Sequence, residues 1–284
     1  MDLSGKIDSG LLGVFRDVSN VAASLGISFF VIGATARDIV LDYGFGIQPS
    51  TATRDLDFGV RVANWEEFQT LTLGLVSSGK FTTSPAAQKF FHTRSGLPVD
   101  IIPFGEIATN RGAILWPPEH EVEMNILGFE EAHTHAWTVK LSHDLEIPFA
   151  SPAGWALLKI ISWNDRNRSE RIKDAQDLAL ILRHYAEAGN IARLYDEESA
   201  LAQEEEYELE YAGARLLGRD LAKIAKLTSA QWVIDILERE TQNQERYQLI
   251  EDMSANRFDE SNIFEFHMKL LLKLKQGVSE VAGA

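Results

Sequence analysis

At the start of the chain, apolar positions change from a helical period to a continuous run and back. Over residues 6–25 they recur every three or four positions, which predicts an amphipathic helix. Residues 27–32 form a short, mainly apolar run that is followed by Gly33, a pattern typical of a buried strand followed by a tight turn. Helical spacing resumes over residues 34–43. The chain therefore begins with a predicted helix, strand, glycine turn and helix.

Further along, short strand patterns alternate with turns. Residues 44–53 are rich in turn-forming residues and predict a loop that leads into a strand containing Asp55. The other elements predicted here are a helix over residues 64–78, two short strands over residues 80–93, a strand over residues 99–104 and edge strands up to residue 140.

Helical spacing takes over at Ser151-Pro152 and continues to about residue 275. Serine is a common N-cap and proline a common first helical residue. We therefore place a domain boundary here, which gives domains of residues 1–150 and 151–284. The first contains the predicted strands, and the second is almost entirely helical.

Two carboxylates, Asp55 and Asp57, stand on either side of Leu56 in the strand pattern. Alternate side chains of a strand share a face, so both acids are expected to point together while Leu56 and Phe58 point into the core. Like charges this close repel each other unless a cation lies between them. A divalent ion with oxygen ligands, Mg²⁺ or Mn²⁺, is the economical choice. The alternative is an edge strand with a solvated acidic face.

Asp100 is the single charge in the apolar strand pattern of residues 99–104. Burying an unpaired carboxylate is costly. We therefore expect Asp100 beside Asp55 and Asp57, as the third acid of a cluster suited to metal-assisted phosphoryl chemistry. The alternative is a carboxylate that caps a neighbouring loop by hydrogen bonds.

The helical part carries candidate groups of its own. Lys159 is the one charge in the apolar stretch of residues 155–163, and it either reaches water along its stem or meets an anion such as a triphosphate. Asp174 and Asp177 are helix neighbours in line with an apolar stripe; the alternative is that they only stabilise the helix dipole. A group of basic residues overlaps this region: Arg166, Arg168, Arg171 and Lys173.

The bulk composition narrows the classes of function. A net charge of −15 argues against broad non-specific binding of nucleic acid, but a local basic patch could still hold a nucleic-acid substrate. The absence of cysteine excludes disulfides and thiolate chemistry and favours a reducing compartment. No apolar run approaches the roughly 18 residues of a membrane span, and the first residues lack a secretory pattern. We therefore expect a cytoplasmic protein with no membrane partner.

Three further patterns have structural interpretations. The acidic run at residues 204–210 is expected to form a solvated face, and the amphipathic stretches at residues 227–239 and 258–274 to supply bundle core. The tail from Gly277 is expected to fray. His133 and His135 lack thiol or nearby acid partners, which indicates a loop rather than a metal pair.

The ordered motifs resemble those of the nucleotidyltransferase superfamily of DNA polymerase β. That superfamily has a glycine turn after a strand, a D-x-D strand and a third acid on a neighbouring strand. The matching residues of this chain are Val31-Ile32-Gly33-Ala34, Asp55-Leu56-Asp57 and Val99-Asp100-Ile101. Lys159, Lys173-Asp174 and Asp177 look like the extra motifs of the AbiEii-type branch, whose members include toxins of toxin–antitoxin systems. The turn departs from the family's usual Gly-Ser or Gly-Gly.

The resemblance implies an α+β fold, with a mixed-sheet nucleotidyltransferase core, a C-terminal all-helical domain and the active site in the cleft between them. It also implies roles at the acids. Asp55 and Asp57 would hold Mg²⁺ or Mn²⁺ on the triphosphate. Asp100 would share a second metal ion and help to deprotonate the acceptor hydroxyl.

Nucleotide binding is implied for a second set of residues. Lys159 would neutralise the β- and γ-phosphates, with Asp174 orienting Lys159 or the acceptor. Arg37 would reach phosphate or form a surface ion pair. The remaining members of this set are Gly33, Ala34 and Thr35 as a phosphate cradle, and Asp177.

The implied reaction is transfer of NMP from an NTP to an acceptor hydroxyl. In the AbiEii-type branch the acceptor includes the 3′ end of tRNA, which the basic residues would contact, and an antitoxin protein is the implied partner. Three alternatives stay open. The acceptor is a protein or a small molecule; the chain is a degenerate module that binds nucleotide or partner without turnover; or it is a phosphohydrolase that uses water.

Overall fold

A seven-stranded mixed sheet is the centre of the amino-terminal part of the chain. The computed structural model describes residues 1–49, 55–242, 246–255 and 262–282. Packing divides the chain into two units, Met1–Ser151 and Pro152–Ala284. The loop predicted over residues 44–53 and the helix predicted from residue 258 lie partly outside the described residues.

The strands confirm the α+β, mixed-sheet prediction. Their bounds are β1 Phe29–Ile32, β2 Leu56–Arg61, β3 Phe81–Thr83, β4 Lys89–His92, β5 Pro98–Phe104, β6 Ala113–Trp116, β7 Val122–Asn125, β8 Trp137–Ser142 and β9 Leu145–Phe149. The large sheet has the order β3-β4-β5-β2-β1-β9-β8, while β6 and β7 form a separate pair. β2 lies antiparallel to β1 and parallel to β5. The strand that carries Asp57 is therefore central in the sheet.

Two of the helices of the amino-terminal unit begin at side-chain caps. The helices of this unit that the structure describes are α1 Ser9–Leu25, α2 Gly33–Arg37, α3 Trp65–Ser77 and α4 Phe129–Thr134, and α2 continues into a π-helical segment, Asp38–Tyr43. Asp8 caps α1 by accepting hydrogen bonds from the amides of Gly10 and Leu11. Asn64 caps α3 by accepting from Glu67 N, and the Glu67 carboxylate accepts from Ala63 N in return. This exchange is close to a capping box.

The core of this unit forms where α1 packs on the sheet. Leu56, Phe58 and Val60 of β2 are fully buried, as the alternating pattern predicts. The ring of Phe15 packs edge-on against Phe58 at 6.0 Å between ring centroids. Burying an aromatic side chain of this kind contributes about 1.5–3 kcal/mol. A register shift of one residue would expose the buried apolar side chains of β2, so their burial fixes which face of the strand the acids occupy.

The carboxy-terminal unit contains only helices in the part that the structure describes. Their bounds are α5 Pro152–Asp165, α6 Arg168–His184, α7 Ile191–Tyr195, α8 Ser199–Glu204, α9 Leu209–Ile224, α10 Leu227–Thr241, α11 Gln248–Met253 and α12 Ile263–Ala282. α9 and α12 approach closely through two glycines. A Cβ atom on Gly218 would lie 2.2 Å from the Leu274 carbonyl oxygen, and one on Gly277 would lie 1.9 Å from that of Arg215.

The expected fraying from Gly277 is wrong, because α12 continues to Ala282. Gly277 is buried against α9, and Val278 is also buried. The Glu280 carboxylate accepts hydrogen bonds from Arg215 and Arg219 of α9. The last turns of the helix are therefore held by packing and by charge.

The expectation of a solvated acidic face fails at Glu205, which is only 6% exposed. Its carboxylate forms ion pairs with Arg215 at 2.9 Å and with Lys273 at 2.6 Å. Both partners lie on other helices, so spacing along the sequence does not reveal them.

The loop expected around His133 is also wrong, because His133 belongs to α4. Its ring packs against Phe30 and Phe104, with centroids 5.4 and 5.3 Å away. Burial lowers the pKa of His133; the charge of Glu130 raises it in part, and Arg61 lowers it further. The ring of His133 is therefore part of the aromatic packing of this unit.

Candidate functional site

Asp57 and Asp100 lie side by side on neighbouring strands. The parallel pairing of β2 with β5 sets Leu56 beside Val99 and Asp57 beside Asp100. Paired residues of neighbouring strands point to the same face of a sheet, so the two carboxylates share one face while Leu56 and Val99 are buried on the other. The register brings together acids that are far apart in the sequence.

Asp100 is held in a poorly solvated position. Its Oδ1 atom is buried and has no hydrogen-bond partner among the described residues. Desolvation raises the pKa of Asp100, the charge of Lys89 lowers it in part, and the charge of Asp55 raises it again. The buried oxygen is thus available for a proton or a cation.

Lys89 is the residue of this site that the sequence does not reveal. It begins β4, and the antiparallel pairing of β4 with β5 sets it opposite Asp100. Its Nζ atom lies 3.6 Å from Asp100 Oδ2 and 4.0 Å from Asp55 Oδ2. A lysine in a short strand pattern is ordinarily read as solvent-facing, and only the register could have identified it.

Asp55 lies just before β2 rather than inside it, since the strand begins at Leu56. Its side chain is 52% exposed. The hydroxyl of Thr35 donates a 2.6 Å hydrogen bond to the Asp55 carbonyl oxygen. Thr35, which is buried, therefore positions Asp55 in this conformation, and a phosphate contact by the Thr35 hydroxyl would require that bond to be exchanged.

Gly33 links the predicted glycine turn to the acids. The pairing of β1 with β2 sets Ile32 opposite Asp57, and Gly33 follows with a φ of 69°. A Cβ atom on Gly33 would lie 1.9 Å from Asp57 Oδ2. Glycine is required both by the left-handed backbone and by this close approach, so the turn shapes the space occupied by the Asp57 carboxylate.

The next residues of α2 are placed differently. Ala34 is half-buried in the first turn of the helix. Arg37 is buried, and its guanidinium pairs with the adjacent Asp38 at 2.6 Å. The ion pair considered for Arg37 is therefore present, but it is buried rather than on the surface.

The donor set fits a hard divalent cation. Carboxylate oxygens are the ligands that Mg²⁺ and Mn²⁺ prefer, and the orphaned Oδ1 of Asp100 is a buried acceptor of this type. Among the described residues, however, no three acid or histidine side chains are gathered closely enough to enclose an ion. A metal ion at this face would draw in the carboxylates of Asp55, Asp57 and Asp100 from their present positions.

A second cluster lies within the carboxy-terminal unit. The Lys159 ammonium of α5 lies 2.6 Å from Asp174 Oδ1 and 2.7 Å from Asp177 Oδ2, both on α6. Asp174 also accepts hydrogen bonds from the Ser162 hydroxyl and from Arg166. The two acids that the sequence aligns on one helix face therefore converge on the lysine of the neighbouring helix.

Lys159 stays charged although it is buried. Desolvation lowers its pKa, but the charges of Asp174 and Asp177 and their hydrogen bonds outweigh that effect, so the pKa is raised. The indole of Trp155, one helical turn earlier, lies 5.5 Å from the ammonium. The apolar surroundings, which the sequence predicts, therefore hold a cationic group stabilised by two acids.

The predicted basic group splits into two kinds of residue. Arg166 pairs with Asp174 at 3.0 Å, and Arg171 pairs with Asp252 at 2.8 Å. Arg168 and Lys173 are exposed on the first turns of α6. Arg168 and Lys173 are better placed for contact with a polyanion than Arg166 and Arg171, because the latter two pair with acids.

One family model matches most of the chain. Residues 18–260 match the family described as nucleotidyl transferase AbiEii toxin of the type IV toxin–antitoxin systems. No curated protein matches the chain. No helix among the described residues is long and apolar enough to cross a membrane.

Several solved structures are partly similar. An antigenic nucleotidyltransferase-like protein from Paracoccidioides brasiliensis is 16% identical, with 69% of this chain and 93% of that chain covered and a TM-score of 0.41. The antibiotic-resistance factor ANT(2'')-Ia is 12% identical, with coverages of 71% and 100% and a TM-score of 0.36. A Thermotoga maritima CCA-adding enzyme, complexed with tRNA_CCA, is 12% identical, with coverages of 99% and 83% and a TM-score of 0.27. At these TM-scores the similarity assigns no function.

Proposed function

Since this chain belongs to the AbiEii family of nucleotidyltransferase toxins of type IV toxin–antitoxin systems, we propose that it transfers NMP from an NTP to an acceptor hydroxyl with the help of a divalent metal ion. The observation that carries the proposal is the parallel pairing of Asp57 with Asp100 beside Asp55. Two acids brought together by register, with one buried oxygen left without a described partner, suit a cation and phosphoryl chemistry. A cytoplasmic location, where nucleotides are abundant, is part of the same proposal.

Asp55, Asp57 and Asp100 are the proposed ligands of Mg²⁺ or Mn²⁺. When bound, the ion would supply charge neutralisation on the phosphates and a more acidic acceptor hydroxyl. Thr35 holds the backbone of Asp55, and Gly33 leaves room for the Asp57 carboxylate. The proposal therefore gives Thr35 and Gly33 positioning roles first, with backbone amides of Gly33, Ala34 and Thr35 as candidates for phosphate contact.

Asp100 is the proposed proton acceptor of the site. Its pKa is raised by desolvation, and its Oδ1 atom has no hydrogen-bond partner among the described residues. A carboxylate of raised basicity in hydrogen-bond reach of a hydroxyl can take its proton as the bond to phosphorus forms. The displaced pyrophosphate leaves with the electron pair of the broken P–O bond.

Lys159 is the proposed cation for the nucleotide phosphates. Two of its three ammonium donors are directed to Asp174 and Asp177, which fix its position and its charge. The third donor would contact a phosphate oxygen. Asp174 and Asp177 then act as positioning residues, and Arg37 is proposed only as a secondary phosphate contact because it already pairs with Asp38.

RNA is the proposed class of acceptor, and the 3′ end of tRNA is the proposed acceptor within that class. Arg168 and Lys173 are exposed and would contact the phosphate backbone, with Arg166 and Arg171 contributing if they exchange their acid partners. An antitoxin protein is the proposed partner in the cell. Protein and small-molecule acceptors are tested by the same experiment.

The test is incubation of the full chain with Mg²⁺, each α-³²P-labelled NTP in turn and total tRNA. We expect label on RNA for one or more of the NTPs, and at least a hundredfold loss of that label in Asp57→Asn. Asp144→Asn is the matched control, since Asp144 is an exposed acid of the same unit that pairs with Arg16.

Each other outcome decides against part of the proposal. Label on a protein band would replace RNA by protein as the acceptor. Release of inorganic phosphate without pyrophosphate would indicate a phosphohydrolase. Absence of labelling and of NTP binding by calorimetry would leave a degenerate binding module.

A further inference from the structure

The ammonium of Lys89 lies where the proposed function requires a cation. It is 3.6 Å from Asp100 Oδ2 and 4.0 Å from Asp55 Oδ2, on the strand that pairs with β5. We propose, resting on the proposed function, that Lys89 is an exchangeable counter-ion of the acid cluster: it holds the carboxylates together without metal, and the divalent ion displaces it.

The backbone around Lys89 fixes where its side chain begins. β4 pairs with β5 in an antiparallel register that sets Lys89 opposite Asp100 and Phe90 opposite Val99. The amide of Ile101 also donates to the Gln88 carbonyl oxygen at 2.8 Å. Since Phe90 and Val99 are buried, the alternation of the two strands directs Lys89 and Asp100 to the same face.

The acidic side chains at this face favour a nearby cation. Asp55, Asp57 and Asp100 are separated by a residue or by one strand spacing, and like charges at such distances repel strongly in a partly desolvated site. Lys89 is a cation at ion-pair distance from two of the three acids, Asp100 and Asp55. In the metal-free protein it therefore offsets part of the repulsion.

The long distances from the Lys89 ammonium to its two acids indicate that a metal ion can replace it. The other lysine of interest, Lys159, contacts its acids at 2.6 and 2.7 Å with a side chain only 10% exposed. Lys89 contacts its acids at 3.6 and 4.0 Å, and its side chain is 31% exposed. A lysine held in this way can turn into solvent with little loss, while Mg²⁺ binds carboxylate oxygens at about 2.0–2.1 Å. The ion can thus displace the ammonium.

The expected consequence is opposite in sign to that of a structural role. A positive charge at the metal site weakens binding of a divalent ion, so removing it strengthens that binding. Removing a lysine that only supports the fold would weaken binding or leave it unchanged. Metal affinity therefore separates the two explanations.

The test compares Lys89→Met with Lys140→Met in the full chain. Lys140 is a matched control because it lies on β8 of the same sheet, is 37% exposed and pairs with Asp2 at 3.8 Å. Mn²⁺ binding is measured without nucleotide, by electron paramagnetic resonance of the free ion. We expect the Kd for Mn²⁺ to fall about tenfold or more in Lys89→Met and to stay at the wild-type value in Lys140→Met and in Lys89→Arg.

A second readout is the melting temperature. Without metal, Lys89→Met should melt below the wild type, and Mn²⁺ should raise its melting temperature more than that of the wild type. Unchanged or weaker Mn²⁺ binding in a folded Lys89→Met protein would overturn the inference. Asp57→Asn separates this failure from failure of the proposed function: if it binds Mn²⁺ as the wild type does, the metal site itself is wrong.

Discussion

Lys159, Asp174 and Asp177 form an ion triad whose lysine and two acids are all buried. Removing charges from water is costly, and their mutual attraction repays that cost only when every member keeps its partners. Asp174 makes polar contacts with three side chains, those of Lys159, Arg166 and Ser162. Loss of its charge leaves Lys159 with a single acid in an apolar helix pair.

Asp174→Asn is therefore expected to lower the free energy of unfolding of the carboxy-terminal unit by about 3–5 kcal/mol. The measurement is urea denaturation followed by circular dichroism. Glu238→Gln is the control, since Glu238 pairs with Lys275 at 3.8 Å with 47% of its side chain exposed, and pairs of that kind contribute about 0–1 kcal/mol. Equal effects of the two substitutions would contradict the view that burial makes the triad costly to break.

His133 gives the amino-terminal unit a pH dependence with a defined sign. Desolvation lowers its folded-state pKa, so at pH values between that pKa and the ordinary value of about 6.5 the unfolded chain binds more protons than the folded one. The free energy of unfolding contributed by this group therefore falls as the pH is lowered through about 6.5. His133→Phe keeps the ring among Phe30 and Phe104 but removes the titration.

We expect the loss of stability between pH 7.5 and pH 5.5 to be smaller in His133→Phe than in the wild type, measured by urea denaturation at both pH values. His135→Gln is the control on the same short segment, because His135 is exposed. A wild-type pH dependence in His133→Phe would show that other groups carry it.

Individual residues were predictable where their immediate sequence context is unusual. Asp100 stands out because it is a lone charge in an apolar run, and Asp174 and Asp177 stand out because they share a helix face. Lys89 and Glu205 do not stand out, because their partners are distant in the sequence. The β4–β5 register sets Lys89 beside Asp100, and the partners of Glu205 lie on α9 and α12. The roles of all these residues in catalysis stay predictions.

At the scale of elements, α9 and α12 pack closely against each other. Gly218 and Gly277 let the two backbones approach, and a Cβ atom at either position would lie within 2.2 Å of a carbonyl oxygen. Backbone cannot move aside as a side-chain tip can, so the helices would have to separate. Separation would also stretch the ion pairs of Glu280 with Arg215 and Arg219.

Gly277→Ala should lower the melting temperature and cost about 1–3 kcal/mol or more, because it overpacks a helix contact. Gly13→Ala is the matched control in α1, where the nearest atom to a new Cβ is His92 Cε1 at 3.5 Å. There the gain in helix propensity should make the change neutral or stabilising by up to about 1 kcal/mol. Scanning calorimetry of both variants checks the opposite signs.

The types of the elements were largely predictable from period and caps, and their ends were not. The strand predicted from Asp55 begins one residue later, and the helix predicted to fray at Gly277 continues to Ala282. Both differences have long-range causes: the Asp55 carbonyl oxygen accepts from Thr35, and Gly277 packs on α9. Local sequence cannot report either contact.

For the whole molecule, the net charge of −15 opposes contact with RNA. If RNA is the acceptor, local cations must outweigh that field over a short distance, and Arg168 and Lys173 are two exposed members of the basic group. Binding should then weaken as salt is added, in proportion to the number of phosphates contacted.

Arg168→Gln with Lys173→Gln is expected to lower tRNA labelling about tenfold or more near physiological salt, and to reduce the slope of log affinity against log salt by about 1.5–2. NTP binding by calorimetry should stay unchanged. Lys223→Gln with Arg246→Gln, exposed cations of the same unit, is the control. Undiminished labelling in the first double variant would move the RNA contact elsewhere on the protein.

The pairing of Asp57 with Asp100 also determines when during translation the site can form. β2 and β5 are parallel neighbours, but α3, β3 and β4 lie between them in the chain, so the contact is non-local and forms late relative to helices and hairpins. A nascent polypeptide that stops before Pro98 has Asp57 but lacks the strand that carries Asp100. A chain that ends there by premature termination therefore lacks one of the three proposed metal ligands.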